Sequence, residues 1–307
     1  MMGARIFAVA VLVVLMLAAG AALPAPGPPG GGRIELRVMS FNIHYGNDLD
    51  GELDLEHIAE DIEDSGAQII GLQEVDRRRS ARSAFVDQAA WLARRLGMYY
   101  SFGLNRTYWA PGREKPGRFG LVVLSKYPIL STRNHMLTLI DYARRPTKPR
   151  SILETVIDVD GTWITFYNTH LDHQRSEQRQ LQAREILALA GKSAGPAILV
   201  GDLNAEYPDP EIARLRSVFT DTFVVEDMAE DYTYPADDPY SRIDYIMTRG
   251  PILVHEAEVI DDSDSSDHLP ITADLSIERD PAWQSCAVRP PDPLPARQRC
   301  EITSAGR

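Results

Sequence analysis

The chain has 307 residues, with 44 acidic against 32 basic side chains, a formal net charge of −12 and two cysteines. At 44% apolar and 25% charged residues its composition is that of an ordinary globular protein, which excludes wholesale disorder, and two cysteines are too few for a disulfide-dense scaffold or a four-thiolate zinc site. The acidic balance argues against holding nucleic acid through a broad basic face, because phosphate neutralisation needs clustered Lys and Arg, but it leaves room for a nuclease that carries a metal cation to its substrate.

The chain opens on a targeting segment, 1–22. One positive charge, at Arg5, precedes an uninterrupted run of apolar or small residues over 6–19, and 19–22 offer small residues for signal-peptidase cleavage. An uncleaved anchor is the other reading, since 6–23 is about the minimum length of a bilayer span. In either case the remainder works outside the cytoplasm, secreted or tethered to a membrane. Residues 23–33 form a linker too rich in Pro and Gly to continue a helix.

From there strands and helices alternate. Residues 34–42 read as a strand. An amphipathic helix spans 54–65, with Leu55, Ile58, Ala59 and Ile62 at helical spacing and Gly66 as its stop. A buried strand at 68–72 precedes a second helix, 84–96, that ends at Gly97. Strands follow at 119–124, 129–137, 151–159 and 162–168, the last two joined as a hairpin through Asp160-Gly161. A helix at 176–190, a buried strand at 197–200, and strands at 243–247, 252–259 and 269–275 complete the series. Hairpins mixed with crossover helices make this an α/β chain of two packed sheets with helices outside, one domain over 34–277. The proline-rich tail, 278–307, holds Cys286 and Cys300. A disulfide between them would constrain the unfolded chain by about 3 kcal/mol, with no catalytic thiol implied.

Polar residues recur where the apolar runs stop: Asn42, Glu74, Asn168 with His170, Asp202 with Asn204, Asp244, and Asp267 with His268. Each alone has an ordinary explanation in turn or core chemistry. Six such placements after six apolar runs are less easily coincidental, because strands of packed sheets can end at one rim.

The segments Ser40-Phe41-Asn42, Gly71-Leu72-Gln73-Glu74-Val75, Asn168-Thr169-His170-Leu171, Gly201-Asp202-Leu203-Asn204, Arg242-Ile243-Asp244-Tyr245 and Ser266-Asp267-His268-Leu269-Pro270 occur in that order. In this the chain resembles the endonuclease/exonuclease/phosphatase superfamily over 34–277. That superfamily includes pancreatic-type deoxyribonucleases, apurinic endonucleases, inositol polyphosphate 5-phosphatases and neutral sphingomyelinases. The resemblance implies a four-layer α/β sandwich and a divalent ion, Mg²⁺ or Mn²⁺, held at Asn42 and Glu74, with Asp267 able to reach it or a second ion. By the same likeness Asp202 orients or deprotonates the attacking water and Asn204 holds it or a phosphate oxygen. His268 is fixed by Asp244, and His170 binds the phosphate or protonates the leaving group. Whether Asp202 or His268 is the base stays open.

Asn168, Tyr108, Arg118 and Arg150 are the candidate substrate contacts. Arg77, Arg78, Arg79 and Arg82 form a basic run after Glu74 that reads as a solvated turn, or as a phosphate grip if it lies near the site. Two departures from the family pattern bear on chemistry. His44 stands where some nucleases carry an acid, which weighs against a second metal, and Gly120-Leu121-Val122 takes a polar group from the expected rim. His173 lies near the site in sequence with little to assign it a contact. The acidic stretch 261–267 lacks the glycine and distal glutamate of an EF-hand loop.

The resulting expectation is an exported metal-dependent phosphoesterase acting on a lipid or small-molecule phosphate. A weaker likeness joins 73–88 and 118–129 to bacterial members grouped with proteins that remodel glycosylphosphatidylinositol lipids. A secreted nuclease is the alternative, and a binding module that has lost catalysis is a third reading. A monomer is expected, with no stable nucleic-acid partner and with membrane proximity if the N-terminal segment stays attached.

Overall fold

The computed structural model describes residues 32–279, except 110, 111, 113 and 194. The targeting segment, most of the linker, and all of the tail beyond 279 with its two cysteines lie outside the described residues. Among the described residues no helix is long and apolar enough to cross a membrane.

Two six-stranded sheets face each other. The first runs β11-β12-β1-β2-β4-β3 and the second β5-β6-β7-β8-β10-β9, with β1 Arg33–Asn42, β2 Ile69–Arg77, β3 Tyr99–Tyr108, β4 Gly117–Ser125, β5 Ile129–Met136, β6 Ser151–Val159, β7 Thr162–His170, β8 Ala197–Asp202, β9 Thr220–Asp221, β10 Asp244–Arg249, β11 Ile252–Val259 and β12 Ile271–Glu278. Only β1–β2 and β7–β8 pair in parallel; the other neighbours are antiparallel. Helices α1 Leu55–Asp64 and α2 Gln88–Arg95 cover the first sheet, and α3 Ser176–Ala190 and α4 Pro210–Arg216 cover the second; a one-turn α5, Thr222–Val225, sits against β10 and β11.

Strand alternation produces these layers. In β4, Leu121 and Val123 point into the core between the sheets, while Val122 and Leu124 point out under α1 and α2. In β8, Ile198 and Val200 face inward, and Ala197 and Leu199 face the α3 side. Strands covered on both faces read as continuous apolar runs, which is why 119–124 and 197–200 carry no polar alternation. Helix α1 begins where Asp54 accepts from the N–H groups of Glu56 and His57, both at 3.0 Å. It buries Leu55, Ile58, Ala59 and Ile62 and stops before Gly66, whose φ of +69° suits glycine.

Three expectations are corrected. β3 was not legible, because its buried positions are Ser101, Gly103 and Asn105, which supply no apolar period. Helix α2 begins at Gln88 rather than at 84, since Ala84 and Phe85 take left-handed φ values of +45° and +56° and Asp87 is the residue whose side chain caps it. β2 runs on to Arg77 through polar residues that looked like a strand end. The hairpin turn at Asp160-Gly161 is as expected, with both residues at positive φ. The 261–267 loop is anchored as well as acidic, with Ser263 and Ser265 both donating to Asp61.

Candidate active site

Three parallel and antiparallel neighbours bring three polar residues level. In the register of the second sheet His170 lies beside Asp202, and Asp202 beside Asp244. His268 enters from the segment before β12, which Ser266 ties to β1 by donating to the Asn42 carbonyl at 2.6 Å. The His268 Nδ1 stands 2.9 Å from Asp244 Oδ2, and because a carboxylate accepts, the ring donates from Nδ1. Thr233 donates its hydroxyl to the same oxygen at 2.8 Å. The Nε2 edge of His268 then faces Asp202 Oδ2 at 3.8 Å. The Tyr234 ring packs against the imidazole with centroids 4.6 Å apart.

Asp202 is the hub. It accepts from Asn42 Nδ2 and from the Asn204 N–H, each at 3.0 Å, and lies 3.1 Å from His170 Nε2. Burial pushes its carboxyl up to about 7, opposed by the charge on His268. Burial also works against a charge on His268, but the Asp244 and Asp202 carboxylates outweigh it and hold the ring up at about 10. His170 moves the other way. Burial, reinforced by Arg150, keeps it well below the usual histidine range, so it is neutral at pH 7, with its Nε2 beside Asp202 Oδ2.

Glu74 reaches the same space through a β-bulge. The β2–β4 register shifts between Leu72 and Val75, and Glu74 takes a left-handed φ of +59°. For a non-glycine residue that conformation costs on the order of 1 kcal/mol. A bulge of this kind re-aims a side chain out of the strand's alternation. Asn204, at φ +50°, is held by its own amide donating to the Leu171 carbonyl at 3.3 Å.

One cavity of about 480 Å³ is lined by Asn42, Glu74, His170, Asp202, Asn204, Asp267 and His268, together with Tyr108 and Arg150. Asp244 stands directly behind His268. Two of the expected substrate contacts do not reach this cavity. Asn168 is fully buried between the sheets, where it donates to the Leu72 and Val122 carbonyls at 2.9 and 2.8 Å and accepts from Gln73 at 2.8 Å; these bonds brace the strands beneath the site. Arg118 is exposed on β4 and its neighbour Phe119 lines the cavity instead. Leu121, in the segment where the family pattern carries a polar group, lies in the apolar core.

The basic run divides. Arg77 and Arg78 both pair with Asp87, at 2.7 and 2.9 Å, whereas Arg79 and Arg82 line the cavity. Tyr45, Tyr234, Lys148 and His173 line it too. His173 is the residue already noted as near the site in sequence, and Lys148 ends the basic stretch before Arg150. Tyr45, in the 3-10 turn His44–Gly46, and Tyr234 carry no periodicity to mark them.

Arg150 is 2% exposed, and its Nε and Nη1 atoms are buried without a hydrogen-bond partner. Burial lowers its pKa, with Glu74 and Asp202 acting against the fall. A buried guanidinium left unpaired is costly.

The donor set suits a divalent ion of the hard kind. Among the described residues no three His, Cys, Asp or Glu side chains gather into a metal cage. Mg²⁺ does not require one, since it keeps several waters and takes one or two carboxylates with the phosphate of its substrate. Glu74 contacts His170 Nδ1 at 3.9 Å, too far for a hydrogen bond, so its oxygens are unspent, and Asn42 and Asp267 add oxygen donors on the same cavity.

Two mixed sheets packed face to face, with helices on both outer faces and polar strand ends gathered at one rim, define the deoxyribonuclease-like class of α/β sandwich. The chain belongs to the Endonuclease/Exonuclease/phosphatase family, which it matches over residues 39–268. It is 25% identical to the endonuclease/exonuclease/phosphatase of Beutenbergia cavernae, with a TM-score of 0.66 over 80% of this chain and 72% of that one. The mannosyl-6-phosphatase of Bacteroides thetaiotaomicron shares the fold at 21% identity and a TM-score of 0.61, over 78% of this chain and 99% of that one. Protein cwh43 of Schizosaccharomyces pombe is 28% identical over 162 residues, which are 52% of this chain and only 15% of that relative's length. Members of the family are hydrolases acting on phosphate esters.

Proposed function

We propose that this protein is an exported, divalent-metal-dependent phosphoesterase that hydrolyses a lipid or small-molecule phosphate by in-line attack of water. The observation that carries the reading is Arg150: a buried guanidinium without a partner opens on the same cavity as a buried carboxylate–histidine row. An anion in that cavity completes it, and charge-assisted hydrogen bonds from Arg to phosphate are among the strong ones. The net charge of −12 favours a small or lipid phosphate over a nucleic-acid backbone, which is held through an extended basic track.

Glu74 and Asn42, with Asp267 in reach, would hold Mg²⁺ or Mn²⁺, which supplies charge neutralisation on the phosphate when bound. Asp202 is the base. Its pKa of about 7 matches the range in which a general base is most effective. Asn204 and His170 orient the water that Asp202 deprotonates. His268, held protonated by Asp244, offers its Nε2–H to a phosphate oxygen whose charge grows in the transition state, and the ester oxygen departs opposite the attacking water, taking up through solvent the proton that Asp202 received. Arg150 binds the phosphate.

The pH profile follows from these groups. The rate is expected to rise with pH through about 7 as Asp202 loses its proton and to fall toward about 10 as His268 loses its own. Asp244→Asn removes the larger of the two negative charges holding that proton, so its alkaline limb moves to lower pH. An unmoved alkaline limb in the variant's kcat–pH profile assigns the limb to another group.

Arg150→Met separates binding from folding. It should raise KM by about tenfold or more while leaving Tm equal or higher, because it removes a buried unpaired charge. A lower Tm with unchanged KM would make Arg150 structural. The reading as a whole is tested by hydrolysis of bis-p-nitrophenyl phosphate, supercoiled DNA and a mixed phospholipid panel, with Mg²⁺ or excess chelator. Chelator-sensitive cleavage of a lipid or small ester with DNA intact supports it. Cleavage of DNA at low enzyme makes it a nuclease, and no turnover of any of them makes it a binding module.

A further inference from the structure

The proposed chemistry uses Glu74, Asp202, His268 and Arg150, and leaves one wall of the same cavity unexplained. Arg79 and Arg82 line it with Tyr45, Tyr108 and Phe119. We infer that this wall is a second anion subsite, so that the substrate carries a further phosphate or carboxylate beyond the one hydrolysed. The inference rests on the phosphoesterase reading and adds its substrate class.

Asp76, fully buried two residues beyond Glu74, organises the wall. Arg82 donates to both its oxygens, at 2.8 and 3.0 Å, and lies over the Tyr45 ring at 3.5 Å. Arg79 reaches the same carboxylate only at 3.5 Å and stacks over Tyr108 at 4.0 Å. Two guanidiniums against one carboxylate leave the wall cationic, and Arg79 spends only one long hydrogen bond on that carboxylate. The position is built. Gly117 lies so close that an added Cβ would stand 2.4 Å from Arg79 Cα, so the backbone of β4 holds Arg79 at the cavity edge.

An anion fits this wall better than a flat ring would. One face each of Tyr45 and Tyr108 is already covered by a guanidinium, which leaves less aromatic surface for a base to stack on. The planar fork of arginine matches phosphate and carboxylate oxygens. Arg150 and Arg79 border the same cavity, so both anionic groups fit within one small molecule. The cavity of about 480 Å³ lies in the range of about 300–1,000 Å³ that encloses whole small ligands, larger than one phosphate needs.

The test is calorimetric titration of the full chain, with chelator present to stop turnover, using fructose 1,6-bisphosphate and fructose 6-phosphate as probes. The bisphosphate should bind at least about tenfold tighter, the effect of one charge-assisted contact. Arg79→Gln should bring its affinity down to that of the monophosphate, and Arg79→Lys should keep part of the preference. Equal affinities in the parent protein, no binding of either probe, or an equal loss for both probes in Arg79→Gln overturns the subsite. Binding is read without turnover, so a protein that binds the bisphosphate selectively yet hydrolyses no phosphate ester with metal refutes the phosphoesterase reading and not the subsite.

Discussion

Asp202→Asn should lower kcat by at least about a hundredfold, the contribution of a positioned general base, with little change in fold. Asparagine keeps the shape of the side chain and can still accept from the Asn204 N–H with its one carbonyl oxygen, while its amide nitrogen replaces the oxygen that accepts from Asn42, a contact kept only if the Asn42 amide turns over. It cannot take a proton from water. The acidic limb of the rate profile should vanish with it, because the group that titrates near pH 7 is gone. Steady-state kinetics with bis-p-nitrophenyl phosphate and Mg²⁺ across pH 5–10 reads both effects. A variant within a few-fold of the parent, with its acidic limb intact, would move the base to another residue, His268 first among them. Glu74→Ala should be as damaging, but its loss should appear as a weaker response to added metal.

The second large effect concerns stability. Arg242 and Asp221 form a bidentate ion pair at 3.2 and 2.7 Å, with both side chains at most 2% exposed. Arg242 also donates to the Ala229 carbonyl at 3.0 Å and lies over the Tyr245 ring at 4.3 Å. Asp221→Ala leaves that guanidinium buried without its counter-charge, which costs about 3–5 kcal/mol. At about 2–4 °C of Tm per kcal/mol for a domain of this size, thermal unfolding should move down by roughly 6–20 °C. Because Arg242 stands two residues before Asp244, activity should fall along with stability. Replacing both partners with apolar residues of similar volume should recover much of the lost Tm, since the cost lies in the orphaned charge. A single-variant Tm within a degree or two of the parent would sink this account.

Much of the architecture was readable before any coordinates. Strands buried on both faces announce themselves as unbroken apolar runs, as at 119–124 and 197–200, and helix α1 carries its cap, its apolar face and its stop within thirteen residues, Asp54 to Gly66. β3 was missed because sheet packing there needs small side chains. The Gly103 and Gly120 backbones approach so closely that a Cβ on Gly120 would stand 1.8 Å from the Gly103 carbonyl oxygen. A strand buried through Ser, Gly and Asn has no hydrophobic period to detect.

The polar residues that gather at the cavity were likewise legible, for a physical reason. Carboxylates and histidines at the ends of apolar runs can be tolerated only where partners await them, so Asp202, Asp244 and His268 stood out against their neighbours and matched an ordered set of motifs. Asn168 belonged to the same set, yet it braces carbonyls of two strands of the facing sheet, and only packing could decide between binding and bracing. Tertiary structure alone decided the rest: that Arg79 and Arg82 turn toward the cavity while Arg77 and Arg78 turn to Asp87, that Thr233 and Tyr234 support His268, and that Arg150 is buried without a partner. These outcomes depend on where loops 78–87, 137–150 and 226–243 come to rest against one another. Strand identity is a local property of the chain, encoded in burial and alternation, whereas the meeting of loops is set by sheet order and register, which no single segment contains.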